Sequence, residues 1–223
     1  MIETTYIDHM GSDLSVVNAA RVSFGKKSAW EHSMDITSYR VANTLSKRDT
    51  KLIKYLAKHK HISPFGHAFA SFHVKAPIFV ARQLVKHKFL RWNEISRRYV
   101  DDEPEFYVPD VWRGRSADKK QGSEGVVGDD NLIGSSSHNN FCKGFYQDII
   151  DSGVAPEQAR MVLPQSTMTE WYWSGSLDAF ADMCRLRLPT DTQQETRVVA
   201  QQIDTIMKDL YPVSWVALIG ETK

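Results

Sequence analysis

An apolar run of ten residues, Ala76 to Val85 (APIFVARQLV), passes without a spacer into Lys86 to Tyr99 (KHKFLRWNEISRRY), fourteen residues with five formal cations, one His, one carboxylate and three aromatics. A buried element must therefore empty straight into a polar surface. The spacing predicts a helix over the apolar run, with Pro77 as a first helical residue and Ile78, Phe79, Ala81, Leu84 and Val85 turned inward. Arg82 and Lys86 then share one face at i, i+4, and Asn93, Glu94 and Ser96 can present side chains beside backbone amides. Cations, amides and a hydroxyl together suit a phosphate better than a metal. The ordinary reading of such a run is a solvated basic face. Against it, Glu94 is the only acid between Pro77 and Val100, and Phe89, Trp92 and Tyr99 gain nothing from a face that is merely wet.

With 223 residues and 42% hydrophobic content, the chain reads as one domain, residues 1–223, with a sizeable core. A net charge of +1 argues against a dedicated duplex-binding protein, which usually carries a domain-wide basic excess. Only Cys142 and Cys184 occur, without a CxxC pair, so neither a disulfide framework nor a structural zinc site is indicated. Cys184 falls on an apolar stripe with Leu177 and Phe180 and reads as core. No segment nears the roughly 18 continuous apolar residues of a membrane helix, and MIETTYIDHM lacks a signal pattern. The expectation is a soluble, cytoplasmic protein.

The organisation reads as α+β. Residues 2–7 suggest a strand, Ser12 caps a helix bearing Leu14, Val16, Val17 and Ala20, and 26–44 is weakly patterned. A helix over Asp49 to Lys58 ends at HISPFGH (61–67), and Ala68 to Val74 alternates as a strand. Residues 114–137, rich in Gly, Ser, Asp and Lys, read as a flexible loop or insertion. Beyond it, Asn139 to Ser152 places Phe141, Phe145 and Ile149 on one stripe, Pro156 opens a short helix, and Thr167 to Trp173 alternates. Ser176 caps a helix to about Leu186, and Thr190 with Gln193 forms a capping box before the last long helix.

The chain resembles the flavin-dependent thymidylate synthases, whose signature RHRxxSxNExSxRY is matched at His87, Asn93, Glu94, Ser96, Arg98 and Tyr99, six of nine specified positions. AARVSFG, HISPFGH followed by FHVKAPIFVARQ, ARMVLPQ and a late RLR stand in the order that family uses. Lys86 and Lys88 replace two signature arginines and Arg91 replaces a serine. Lysine keeps the charge but lacks the planar fork, and Arg91 is expected to resupply a guanidinium.

The resemblance implies an antiparallel sheet packed with helices and reductive methylation of dUMP to dTMP. Methylenetetrahydrofolate would supply the carbon, FAD the hydride and NADPH the reducing power, in a homotetramer with active sites between subunits. It implies that Gln83, Lys86, Glu94, Ser96, Arg97 and Arg98 line the dUMP site, with Arg160 reaching the phosphate from another subunit. Arg187, otherwise a helix C-terminal cation, would contact the uracil edge as the catalytic side chain. Flavin contacts would fall on Ser23, Ser63, Lys86, His87, Lys88 and Glu94, with His61 near the flavin and folate face. Ser176, Asp178 and Asp182 occupy flavin positions where the family more often has Asn, Arg or His. An acid beside a flavin diphosphate is unfavourable unless turned away.

Two other readings remain open on the residues. A single-stranded nucleic acid module could use Phe89, Trp92 and Tyr99 with the nearby cations. A metalloprotein could use His59, His61, His67 and His73, although no HExxH or paired CxxC pattern is present and no metal is expected.

Overall fold

The two alternating stretches, one in each half of the chain, are partners at the centre of the main sheet. The computed structural model describes residues 1–35, 40–118 and 122–220. Its first half runs β1 (Glu3–Met10), α1 (Asp13–Arg21), β2 (Glu31–Asp35), β3 (Arg40–Thr44), α2 (Lys47–Lys58), β4 (Phe69–Pro77), α3 (Ile78–Leu84) and β5 (Leu90–Glu94). The second continues with β6 (Trp112–Arg115), β7 (Ser123–Gly128), α4 (Asp130–Ile133), α5 (Ser135–Asp151), α6 (Pro156–Ala159), β8 (Met168–Ser176), α7 (Leu177–Arg187), α8 (Gln194–Leu210) and α9 (Pro212–Ile219).

Four strands form an antiparallel sheet in the order β1-β4-β8-β5, and β2-β3 and β6-β7 form two small hairpins. Between β4 and β8 the register runs from Phe69 opposite Ser176 to Pro77 opposite Met168. Side chains alternate along each strand, so Phe72, Val74, Trp171 and Trp173 are buried while Tyr172 is exposed on the other face. α1, α7, α8 and α9 cover the buried face with Val17, Phe180, Met183, Ile203, Met207 and Trp215. Trp92 of β5 stacks on Trp171 at 4.3 Å between centroids and meets Trp173 edge-on at 5.7 Å. β5 can pair so closely because its neighbour at Leu90 is Gly175, where a Cβ would sit 2.4 Å from the Leu90 side chain and 3.0 Å from the Phe89 carbonyl oxygen.

The ends of the chain are tied together. Asp13, 3% exposed, accepts from the Val213 and Ser214 amides at 2.9 and 2.8 Å and so caps α9. The Tyr211 hydroxyl reaches the carbonyl oxygens of Phe69 at 2.7 Å and Met10 at 3.1 Å, and burial raises its pKa.

Several expectations are corrected. Pro77 is the last residue of β4 and the cap of α3, not a helical residue, because strand pairing to Met168 holds it extended. The weakly patterned 26–44 stretch contains the hairpin strands β2 and β3, and β5 lies inside the basic cluster. On α5 the buried side is Asn139, Cys142 and Tyr146, whereas Phe141 is 70% and Phe145 46% exposed. Apolar periodicity cannot register Asn139, which the Ser166 hydroxyl holds at 2.9 Å. The cap of α8 is Gln193 with no side-chain capping bond, because Thr190 is drawn into the turn closed by the Thr192 amide on the Pro189 carbonyl. Within 114–137 the described residues carry parts of β6, all of β7 and α4, and the start of α5. Among the described residues no helix is long and apolar enough to cross a membrane.

Replacing Asp13 with Ala leaves two amides of α9 without their acceptor and should lower unfolding stability by about 2 kcal/mol. Urea unfolding checks this; an unchanged midpoint would mean that α9 holds without its cap.

Candidate active site

α3 leaves β4 at Pro77 and α7 leaves β8 at Ser176, with no loop at either junction. Because β4 and β8 are antiparallel, the helices start at opposite ends of the ladder, and their C-terminal ends meet. There Arg187 donates from Nε to His87 Nε2 at 3.1 Å and from Nη2 to the Gln83 carbonyl oxygen at 3.3 Å. Burial and, secondarily, the Arg187 charge push the His87 pKa down to about 4. The imidazole is thus neutral at neutral pH, with Nε2 free to accept. Burial also lowers the Arg187 pKa. Sequence reasoning placed His87 with the flavin; the structure also makes it the support of Arg187.

Gln83 and Arg187 open onto a cleft of about 1030 Å³ that extends to Tyr107, Trp112, Arg113 and Glu195. Glu195, in the first turn of α8, accepts from Arg113 Nη2 at 2.5 Å and from the Tyr107 hydroxyl at 3.4 Å. Burial, then the neighbouring Glu195 charge, raises Tyr107 to about 12. None of these three residues was singled out from sequence. Arg113 and Glu195 lie far apart in the chain, and only the β6–β7 hairpin brings them together.

Glu94, Arg97 and Arg160 line a second cleft of about 290 Å³ with Lys75, Asp102 and Glu105. Glu94 is pinned by the Thr169 hydroxyl at 2.7 Å and Trp92 Nε1 at 3.0 Å. Arg97 is engaged by the Asp102 carboxylate at 3.2 Å. Beside it, the Ser96 carbonyl oxygen accepts from the Tyr99 and Val100 amides, while its hydroxyl faces Arg98 Nε at 3.3 Å. The two clefts share a wall, where the Ile78 amide bonds the Thr167 carbonyl at 2.9 Å and the Phe79 amide bonds the Gln165 carbonyl at 3.3 Å.

His61 lines a third cleft, of about 750 Å³, with Arg21, Lys26, Arg48, Lys51 and Tyr55. Ser23 is exposed on the turn after α1, and Ser63 opens the Ser63–His67 turn, which packs against the start of α7. Ser176 caps α7 through its backbone only, leaving its hydroxyl outside the helix. Asp178 Oδ1 is buried with no partner among the described residues, and Asp182 pairs with Arg185. Lys86 and Lys88 are exposed between α3 and β5. Arg91 is exposed too, and alternation sends it to the sheet face opposite Trp92 and Glu94.

Trp92 is taken up by the indole stack, so the proposed base-stacking platform keeps only Phe89 and Tyr99 exposed. Among the described residues no group of three His, Cys, Asp or Glu side chains converges as a metal site would require.

Residues 5–213 match the family described as Thymidylate synthase complementing protein. A flavin-dependent thymidylate synthase from Thermus thermophilus is 38% identical over 212 residues, covering 95% of this chain and 73% of the relative. One from Kosmotoga olearia is 38% identical over 220 residues, with 96% and 88% covered. A crystal structure of a UMP/dUMP methylase, PolB from Streptomyces cacaoi, bound with 5-Br dUMP, superposes with a TM-score of 0.78 at 32% identity over 97% of this chain and 94% of that one. The sheet-and-helix architecture, the matched signature and these relatives agree: the chain belongs to the flavin-dependent thymidylate synthase family.

Proposed function

We propose that the protein methylates dUMP to dTMP as a cytoplasmic homotetramer, using methylenetetrahydrofolate, FAD and NADPH. The observation that carries this reading is the half-buried Arg187 guanidinium, held by a neutral His87 and the Gln83 carbonyl where it lines the cleft of about 1030 Å³. A cation held there stabilises negative charge developing on a uracil carbonyl while the ring acts as nucleophile. A route without a Cys adduct is favoured because Cys184 is fully buried, with its thiol pKa raised by burial, and Cys142 is buried as well.

Phosphate binding falls to the Ser96 turn, Arg98 and Arg160, since Arg97 is already engaged by Asp102. Glu94, fixed by Thr169 and Trp92, suits a ribose hydroxyl. A nucleotide must meet base and phosphate anchors together, yet one chain keeps Arg187 and Arg160 on two sides of a wall. Two subunits facing one another would supply both, which supports assembly between copies.

The residues present fit a flavin. Lys86 and Lys88 offer exposed cations beside the C-terminal end of α7, Ser63 and Ser176 offer hydroxyls near its N-terminus, and Ser23 is exposed on the turn after α1. Asp178 has the wrong sign for a diphosphate, and its Oδ1 is buried without a partner among the described residues. When bound, the flavin supplies the hydride. The cleft of His61 carries charge for the phosphates of the flavin or the carboxylates of the folate.

Arg187→Ala should lower kcat/KM for dUMP by about a hundredfold or more, measured by tritium release from labelled dUMP; wild-type turnover would remove Arg187 from the reaction. Proton NMR of His87 should show a midpoint near 4 rather than 6.5. Since the folded state holds that proton more weakly than the unfolded one, its contribution to stability is complete above pH 6.5 and is lost as pH falls toward 4. Finally, Arg160→Ala and Arg187→Ala subunits, each inactive alone, should regain part of the activity when refolded together. Mixed oligomers that stay inactive would place both arginines in one subunit's site.

A further inference from the structure

Residues 47–61 carry six formal cations and one acid in a chain of net charge +1, so the remainder of the chain is net acidic. Five of the cations belong to α2, whose buried side is Asp49, Ile53 and Leu56. Asp49, the single acid, is 3% exposed and accepts from Arg21 Nε and the Ser28 hydroxyl, each at 3.0 Å, so its charge is matched inside the fold. Helical spacing puts Arg48, Lys51 and Tyr55 on one stripe, which lines the cleft of His61, and Lys47, Lys54 and Lys58 on the stripe beside it. All six are exposed, and none of the five cations pairs with an acid among the described residues. A merely solvated helix face ordinarily alternates Glu with Lys, which this one does not. The Tyr55 ring lies 4.3 Å from that of His59 and 6.1 Å from that of His61, so the cations adjoin a group of ring surfaces.

We infer that the exposed face of α2 is a docking strip for a short polycarboxylate: the chain of γ-linked glutamates on a folate whose ring end occupies the cleft of His61. Five of the six cations are lysines, point charges on flexible stems. These suit the separate carboxylates of a chain, whereas arginine's planar fork suits a bidentate grip on phosphate. A helix of 12 residues is about 18 Å long, which accommodates a few carboxylates. A polynucleotide, by contrast, draws its affinity from phosphates spread along a longer basic track. The inference rests on the reading that methylenetetrahydrofolate supplies the carbon.

The experiment measures tritium release from labelled dUMP by the flavin-loaded protein with NADPH, using methylenetetrahydrofolate that carries either one glutamate or five. Wild-type KM should be about tenfold lower for the pentaglutamate, because several individually weak exposed ion pairs act together. Combining Lys47→Gln, Lys54→Gln and Lys58→Gln should shrink that advantage to about twofold, and added salt should shrink it in the wild type. Combining Lys47→Arg, Lys54→Arg and Lys58→Arg, which keeps the charges, should preserve it. Equal KM values for the two folates in the wild type, or an advantage that the triple glutamine variant keeps, would overturn the strip. Loss of the advantage in the arginine variant as well would overturn it too, by making the role of the lysines structural. Labelled oligothymidylate that binds the wild type but not the glutamine variant, with no pentaglutamate advantage, would give the strip to single-stranded nucleic acid instead. Failure of the wild type to turn over either folate would overturn the reading of the carbon donor, and this inference with it.

Discussion

The antiparallel ladder between β4 and β8 is the constraint on which the rest depends. Its register, Phe69 opposite Ser176 through Pro77 opposite Met168, sets where α3 and α7 begin, because both helices continue from the strands without a loop. Opposite strand directions then bring the far ends of the two helices together, which is why Arg187 finds His87 and Gln83 across a long separation in sequence. A one-residue slip would exchange the buried Trp171 and Trp173 for Tyr172 and Ser174, so the hydrophobic core itself holds the register. The geometry of the candidate site is inherited from core packing rather than built by local turns.

Electrostatics refine what packing positions. Arg187 and His87 would repel if both were charged, and burial resolves this by keeping the imidazole neutral so that it accepts from the guanidinium. Glu94 is treated in the opposite way, held as an acceptor between an indole N–H and a hydroxyl. Lys86 and Lys88, by contrast, are exposed and lack such support among the described residues. Substituting lysine for the family's arginine is tolerable at such positions, where a point charge on a flexible stem does not disturb packed neighbours.

Much of the architecture was legible in the amino-acid order. Two alternating stretches read as strands, Ser12 marked α1, and the apolar stripe of Cys184, Phe180 and Leu177 lies in the core. What escaped was set by partners distant in sequence. β5 hides in a cationic segment, since its strand character comes from Trp92 stacking on Trp171 and from the space left by Gly175. The stripe on α5 was misread because Asn139 points inward to Ser166 while Phe141 and Phe145 remain exposed. At the site, three separate short motifs pointed to Gln83, Glu94 and Arg187, but nothing local joined Arg113 to Glu195.

By itself the sequence determined the family, through a signature whose residue types are required by phosphate and nucleotide chemistry, and the positions of most elements, through periodicity and caps. Those are local properties, carried by residues within a few positions of one another. Only the tertiary structure decided that Gln83 with Arg187 and Glu94 with Arg160 occupy separate clefts on two sides of one wall, and that Arg113 and Tyr107 meet on Glu195 beside the larger of them. The reason is that these relations depend on strand register and on the crossing of helices, which fix distances between residues that the chain order leaves far apart.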